Sequence, residues 1–227
     1  MIRALVFSIT CLLCAGTPLA AQPGADGADL QSSPVPPQRP AREQPTARWD
    51  DAAGGGRFTQ ATIDALKAHG AQLAQTVPSD IAAWCPAYAS SGPRGRRAFW
   101  VGMISAIAWY ESRYQPDVVG GSGRYYGLMQ ISPATARSVG CRAGSGEALK
   151  SGSANLACTV RILAHVVPRH GVISARTSGW RGISNQWGPL RREGVRNDIK
   201  SWLSQQSYCQ RNIAPVTSPR PVARPAP

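Results

Sequence analysis

The chain has 227 residues, with 25 basic and 12 acidic side chains and a formal net charge of +13. This length suits one hydrophobic core better than two, and no stretch reaches the roughly 20 apolar residues that a membrane-spanning helix needs. The positive charge favours polyanions in general and selects none of them. Arg3, an apolar run over residues 4–15 and the small residues before Gln22 are typical of a secretory signal peptide. We therefore expect residues 1–21 to be removed and the mature chain to be exported to the periplasm or cell envelope.

The next segment, residues 22–57, is rich in Pro and Gly and poor in apolar side chains. Such a composition cannot bury enough surface to offset the entropy of ordering. We predict a disordered linker there and, for the same reason, a disordered Pro/Arg-rich tail over residues 213–227. The folded domain is then expected to cover residues 58–212.

Helical signals dominate the first half of this domain. An apolar pattern from Thr59 to Leu73 predicts a first helix, and Ser79 is the expected N-cap of a short second one. Residues 98–110 carry no charge and predict a long buried helix that ends near Glu111. A small hairpin or loop is expected over residues 120–126.

The second half of the domain contains three more predicted helices. Ser132 followed by Pro133 predicts one helix start. Ser153 is the expected N-cap of a helix that ends before Pro168, and a last helix is expected over about residues 195–207. Because no convincing alternating strand is present, the predicted fold class is mainly α.

Four cysteines remain after signal removal, namely Cys85, Cys141, Cys158 and Cys209. In an oxidising compartment they are expected to form disulfides, and the sequence allows three pairings without choosing among them. Pairing Cys141 with Cys158 and Cys85 with Cys209 would contribute about 3 and roughly 4 to 5 kcal/mol by loop-closure entropy. Zinc is not expected, since no Cys-x-x-Cys spacing is present, and no other metal or cofactor is indicated.

Glu111 is the candidate catalytic acid. Trp100, Ile104 and Ile107 precede it by eleven, seven and four residues, which places all four on one helical face. A carboxyl held against apolar surface loses hydration of its charged form, so its pKa should rise above the usual value of about 4.3. Such a carboxyl can donate a proton near neutral pH.

The motifs around Glu111 resemble those of the soluble lytic transglycosylases, within the superfamily of goose-type lysozymes. They occur in the family's order, as Glu111-Ser112, then Gly127-Leu128-Met129-Gln130-Ile131-Ser132-Pro133-Ala134-Thr135-Ala136, then Asn155-Leu156 before an apolar helix. The resemblance covers about residues 98–167. It implies a lysozyme-like helical domain that acts on peptidoglycan glycan strands.

The resemblance also implies a mechanism with one acid. Glu111 would protonate the oxygen that links N-acetylmuramic acid to N-acetylglucosamine, and then take the proton of the muramoyl C6 hydroxyl as that hydroxyl attacks its own anomeric carbon. The product is a 1,6-anhydromuramoyl end. An intramolecular nucleophile has a high effective molarity, so a second carboxylate is not needed.

Several substrate-binding residues follow from the same resemblance. Gln130 would contact the sugar or its N-acetyl group, and Met129 would form a wall of the groove. Ser112 would orient the acid or the turn, although it could simply cap the helix end. Asn155 would open the later helix, and its alternative role is hydrogen bonding to local backbone.

Two aromatic residues are further candidates, since Tyr126 could stack on a sugar face and Trp180 could line the cleft. The chain departs from the family where a Tyr-Asn-x-Gly segment is common. It has Ser184-Asn185-Gln186-Trp187-Gly188 there, and no tyrosine lies between Tyr126 and Tyr208.

Two other functions remain open from the sequence. A goose-type lysozyme would hydrolyse the same bond with water and could use Asp117 as a second carboxylate. A non-catalytic module would bind peptidoglycan or secretion-system and envelope proteins, using the Arg-rich ends. A nucleic-acid partner is not expected, and the chain is expected to be a monomer.

Overall fold

The computed structural model describes residues 44–210, and the mainly α class is confirmed. The helices are α1 (Gly55–Lys67), α2 (Ala71–Gln75), α3 (Pro93–Ser112), α4 (Pro133–Ser138), α5 (Gly146–Leu149), α6 (Gly152–His170), α7 (Ile183–Gln186) and α8 (Glu193–Ser204). Two antiparallel hairpins join β1 (Val119–Gly120) to β2 (Tyr125–Tyr126) and β3 (Ser174–Arg176) to β4 (Trp180–Gly182). Short 3-10 turns cover Ile81–Ala83, Gly188–Arg191 and Ser207–Cys209. The hairpin expected over residues 120–126 is β1–β2.

Helix α3 forms the centre of the core. Pro93 occupies its first turn, and every residue from Ala98 to Ala108 is buried. A helix that is apolar on all sides must be surrounded, and α1, α2 and α8 pack around this one. It ends where Arg113 adopts a left-handed conformation with φ 54°. Glu111 therefore lies in the last turn of the most buried helix. None of the helices between residues 44 and 210 is both long and apolar enough to cross a bilayer.

Two disulfides close the fold. Cys85 is joined to Cys209, and Cys141 to Cys158, with sequence separations of 124 and 17 residues. The first bond links the segment after the Ile81–Ala83 turn to the end of the described chain. The second fastens the loop after α4 to α6. The structure thus selects one of the three pairings that the sequence allows.

The ordered chain begins earlier than predicted, which corrects the boundary of the linker at residue 57. Trp49 is fully buried, and its indole N–H donates to the Thr59 hydroxyl at 2.8 Å. The Arg48 amide donates to the Ser105 hydroxyl on α3, also at 2.8 Å. These long-range contacts come from single residues, so averaged composition does not reveal them. The rest of the predicted linker, the signal peptide and the tail from residue 211 lie outside the described residues.

Several helix boundaries also differ from prediction. The N-cap of α6 is Ser151, whose hydroxyl accepts from the Ala154 amide, and Ser153 is already helical. Helix α6 includes Pro168 and ends at Gly171, which has φ 67°. The predicted end of this helix before Pro168 is therefore wrong, because the proline lies within its last turn. The predicted helix start at Ser79 is a 3-10 turn without a side-chain cap.

Elements with weak local signals were not predicted. Helices α5 and α7 have four residues each, and the β3–β4 hairpin has strands of three. The last predicted helix, residues 195–207, is instead α8 followed by a separate 3-10 turn. Short elements such as these depend on tertiary packing more than on propensity.

Candidate active site

The Glu111 side chain is partly buried at the end of α3. Burial raises the pKa of its carboxyl to about 7, and the positive charge of Arg192 opposes that rise. No hydrogen bond or ion pair within residues 44–210 holds this carboxyl. The group is therefore close to half protonated at neutral pH and can give or accept a proton.

A tight turn faces the end of α3 and carries the Gly-Leu-Met-Gln motif. Tyr126 and Ile131 exchange backbone hydrogen bonds of 3.0 Å in each direction, and the turn between them requires positive φ at Gly127 (77°) and Gln130 (46°). The Ser112 hydroxyl donates to the Leu128 carbonyl at 2.9 Å. This bond ties the residue after Glu111 directly to the turn.

Asn155 secures the same turn from the side of α6. Its side-chain oxygen accepts from the Met129 amide at 3.0 Å, and its amide donates to the Tyr126 and Leu149 carbonyls at 2.9 Å each. A Cβ at residue 127 would collide with the Leu149 carbonyl and the Asn155 amide. Only glycine fits at residue 127, because the conformation and the close approach both exclude a side chain.

Trp187 is a further supporting residue of the turn. Its indole N–H donates to the Met129 carbonyl at 2.9 Å, and the ring is buried. Asn155 and Trp187 therefore hold the two backbone groups of Met129. Sequence reasoning placed Trp187 only within the segment that differs from the family's Tyr-Asn-x-Gly, without a role in the turn. Its position in that segment was the available signal for a structural role.

Three predicted substrate contacts are buried framework residues instead. Met129 and Asn155 have no exposed surface, and Ser112 is 6% exposed. A side chain enclosed by protein cannot form the wall of an open groove, so the predicted role of Met129 as a groove wall is corrected. Ser112 hydrogen-bonds the turn, in agreement with the orienting role expected of it, and Asn155 hydrogen-bonds backbone, which is the alternative that the sequence left open. They position the turn beside Glu111.

The other predicted contacts lie nearer the surface. The Gln130 amide donates to the Val118 and Gly127 carbonyls at 3.1 and 3.0 Å, so its N–H groups serve the turn. Tyr126 is partly buried, and its hydroxyl donates to the Gly123 carbonyl at 2.7 Å. These bonds fix the β1–β2 hairpin relative to the turn.

Trp180 is partly buried on β4, where its ring lies between two arginines. The guanidinium carbons of Arg176 and Arg196 are each 5.5 Å from the ring centroid. These contacts hold Trp180 against the β3–β4 hairpin and α8. Neither contact joins Trp180 to the turn that carries Met129.

Most other carboxylates in the described range have structural partners or face solvent. Asp198 binds Arg48 and accepts from the Tyr110 hydroxyl at 2.7 Å, and these bonds lower its pKa. Asp80 accepts from the Ile173 and Ser174 amides. Asp117 is exposed in the loop after α3. Glu111 is the acid in residues 44–210 whose pKa rises towards neutrality, and no cluster there could hold a metal ion.

A large cavity in the described chain lies away from Glu111. It has a volume of about 670 Å³ and is lined by residues 44–46, one side of α1, the start of α3 and residues 207–208. Its lining includes no carboxyl or histidine, so it offers no group for acid catalysis.

Residues 92–179 match the Transglycosylase SLT domain family. Three solved structures are similar to the chain: "Bd0314 DslA wild-type form 2" and two DslA mutants, each with a different glutamate replaced by glutamine. The wild-type form has a TM-score of 0.67 and 28% identity, and the alignment covers 74% of this chain and 100% of that one. The second mutant aligns with a TM-score of 0.66 and 27% identity over the same shares. No curated protein matches the chain. Together with the acid, turn and Asn motifs in their expected order, these matches identify residues 92–179 as a Transglycosylase SLT domain of the lysozyme-like superfamily.

Proposed function

We propose that this chain is an exported lytic transglycosylase that cleaves the β-1,4 bond between N-acetylmuramic acid and N-acetylglucosamine in peptidoglycan. The SLT domain supports lytic transglycosylase-type activity in general, and the bond and the catalytic residue are the finer parts of the proposal. The observation that carries it is the partly buried Glu111 carboxyl at the end of α3, next to the residue that hydrogen-bonds the Gly-Leu-Met-Gln turn. This burial raises the pKa of the carboxyl to about 7.

The reaction needs one group in two protonation states. Protonated Glu111 donates to the bridging oxygen as the bond from that oxygen to the muramoyl anomeric carbon breaks. The resulting carboxylate then takes the proton of the C6 hydroxyl while the C6 oxygen bonds to the anomeric carbon. The acid is thereby restored and a 1,6-anhydro end is formed. A pKa near the working pH favours both steps, since neither form is rare.

The surroundings of Glu111 suit this double role. Burial favours the neutral acid, whereas Arg192 favours the carboxylate. Neither influence is a hydrogen bond that would hold the proton on one oxygen, so the carboxyl is available to a substrate. Arg192 would stabilise the negative charge that appears after the first proton transfer.

The turn beside Glu111 supports a defined geometry for the sugar. Ser112, Asn155 and Trp187 together bind the Leu128 carbonyl and both backbone groups of Met129. Catalysis depends on holding reacting atoms within small tolerances. Buried, fully hydrogen-bonded supports of this kind provide that rigidity better than a mobile loop does.

An extracytoplasmic location is part of the proposal. Disulfides persist in oxidising compartments such as the periplasm, and the structure contains two. The predicted signal peptide over residues 1–21 agrees with that location. Determining the N-terminus of the protein recovered from the periplasm tests this part, and recovery of the uncleaved chain from the cytoplasm would overturn it.

Muropeptide analysis tests the reaction, the bond and the residue together. Purified sacculi are digested with the mature wild-type chain, with Glu111→Gln and with Asp117→Asn as a carboxylate control, and the soluble products are analysed by mass spectrometry. We expect anhydromuramoyl ends from the wild type and from Asp117→Asn, and none from Glu111→Gln. Reducing ends alone would indicate a hydrolase, and sedimentation with sacculi without product would indicate a binding module.

A further inference from the structure

A basic groove, defined by the cavity between α1 and the start of α3, lies apart from the Glu111 site. Its larger part has a volume of about 670 Å³. An adjoining cavity of about 380 Å³ extends it between α2 and α3, and the two share Lys67 and Arg97. The two cavities are therefore neighbours, and two cations line both of them.

All charged side chains that line the basic groove are positive. Lys67, Arg94 and Arg97 line it, and no carboxylate within residues 44–210 lines either cavity. The nearby Asp64 on α1 accepts a hydrogen bond from the Gln60 amide at 2.8 Å. The first turn of α3 adds a smaller positive contribution through its helix dipole. The groove therefore favours an anionic ligand.

Arg96, in contrast to Lys67 and Arg97, has a structural role. Its guanidinium donates to four backbone carbonyls, those of Gln75, Tyr88, Ala89 and Ser91, at 2.8 to 3.3 Å. No such carbonyl cage surrounds Lys67 or Arg97 in the described chain. Lys67 and Arg97 line both cavities, and within residues 44–210 neither side chain has an ion pair or a side-chain hydrogen bond, although Lys67 in the last turn of α1 also complements the helix dipole.

The basic groove is too far from Glu111 to belong to the same sugar-binding position. Arg97 and Glu111 are 14 residues apart on α3, which corresponds to about 21 Å along the helix axis. The buried residues Trp100, Ile104 and Ile107 lie between them on that face. A ligand in the groove would therefore be bound independently of the reacting bond.

Size and chemistry narrow the class of ligand. A volume of about 670 Å³ is in the range of sites for extended organic ligands rather than a single small ion. Guanidinium and ammonium groups bind carboxylates strongly. Gln44 and Gln60, which share a hydrogen bond of 3.3 Å, add amide groups that match a peptide backbone, and Ile63 adds apolar surface.

We propose that the basic groove binds a short peptide through its free carboxylates, with Lys67 and Arg97 as the principal contacts. The identification of the peptide rests on the proposed function, because peptidoglycan carries such peptides as stems on its glycan strands. The groove would then bind a stem peptide at some distance from the cleaved glycosidic bond. It would increase the affinity of the enzyme for peptidoglycan that still carries its stem peptides.

Direct binding tests the proposal without turnover. The full mature chain carrying Glu111→Gln is titrated calorimetrically with stem peptide released from peptidoglycan by an amidase. The same peptide with its carboxylates converted to methyl esters, and inorganic phosphate, serve as comparison ligands. Lys67→Gln and Arg97→Gln are each added to the Glu111→Gln background, and Arg142→Gln, an exposed arginine outside the groove, removes the same charge as a control.

We expect the free peptide to bind, with about tenfold weaker affinity for each groove variant, as the loss of a charge-assisted hydrogen bond implies. The Arg142→Gln control should bind as tightly as its parent, and the methyl ester and phosphate should bind weakly. Equal binding of the ester, or unchanged affinity in both groove variants, would overturn the inference. If the wild type cleaves cell wall but the chain does not bind the peptide, the groove proposal fails and the proposed function stands. If the chain binds the peptide but the wild type does not cleave cell wall, the proposed function fails and the groove proposal stands.

Discussion

Replacing Glu111 with glutamine should stabilise the fold at pH 8 and leave its stability nearly unchanged at pH 4. The folded protein raises the pKa of this carboxyl from 4.5 to about 7. A raised pKa means that the folded state holds the proton more tightly than the unfolded state does. The associated stability is complete below pH 4.5 and is lost as the pH rises to about 7.

The size of the effect follows from the shift. Each pKa unit corresponds to about 1.4 kcal/mol, so a rise from 4.5 to about 7 amounts to about 3 kcal/mol of stability lost by the wild type at pH 8. The glutamine variant has no charge to desolvate and avoids this loss. For a domain of this size, a difference of this magnitude corresponds to a thermal unfolding midpoint on the order of 10 °C higher for the variant at pH 8.

The assay is urea unfolding of both proteins at pH 4 and pH 8, at constant ionic strength and with the disulfides intact. Other titrating groups such as His170, whose pKa is lowered by burial, are common to both proteins, so the difference between them isolates Glu111. Asp117→Asn is the control, because its carboxyl is already exposed. If the free energies of unfolding of Glu111→Gln and the wild type differ by the same amount at pH 4 and pH 8, the buried-acid reasoning is refuted.

Three further predictions concern the supports of the turn, and urea unfolding measures each free-energy change. Gly127→Ala should cost at least about 3 kcal/mol, because the added Cβ would collide with backbone and with the Asn155 side chain. Gly140 also has positive φ, but a Cβ there would point into open space, so Gly140→Ala should cost only about 1 to 2 kcal/mol. Asn155→Ala should cost about 3 kcal/mol, since it leaves the Met129 amide and the Leu149 carbonyl unpaired and removes one of the two hydrogen bonds to the Tyr126 carbonyl. Ser151→Ala should cost about 1 kcal/mol and Ser153→Ala under about 0.5, since only Ser151 caps α6.

Each of these comparisons has an outcome that contradicts it. Equal losses at Gly127 and Gly140 would mean that the turn shifts to admit a side chain. A loss below about 1 kcal/mol in Asn155→Ala would mean that water replaces the three hydrogen bonds. A larger loss at Ser153 than at Ser151 would restore the cap position that the sequence alone suggests.

Local sequence patterns were sufficient to predict the mainly α fold class and the position of Glu111 at the end of a buried helix. The uncharged run of residues 98–110 predicts a surrounded helix, and Glu111 at its end inherits the apolar environment. Ser132 with Pro133 predicts the start of α4 correctly, with the Ser132 hydroxyl accepting from the Thr135 amide at 3.0 Å. Capping and burial periodicity act over a few residues, so a sequence displays them directly.

The same motif residues did not reveal which of their atoms would be buried. Met129 and Asn155 stand in the family's motifs, yet both are enclosed. Met129 is bound by Asn155 on α6 and by Trp187, and Asn155 packs on the turn, so each is buried by a segment distant in the sequence. A motif shows that a residue type is required. It does not show whether the requirement comes from a ligand or from neighbouring backbone.

By itself, the sequence determined a mainly α domain, a carboxyl at the end of its most apolar helix and four cysteines suited to disulfides. The tertiary structure decided the cysteine pairing, the packing of Arg48 and Trp49 within the predicted linker, the buried roles of Ser112 and Asn155, and the basic groove. The groove unites residues 44–46 with residues 207–208, and the longer disulfide spans 124 residues. Contacts at such separations depend on the path of the whole chain through the core, and no local pattern encodes that path.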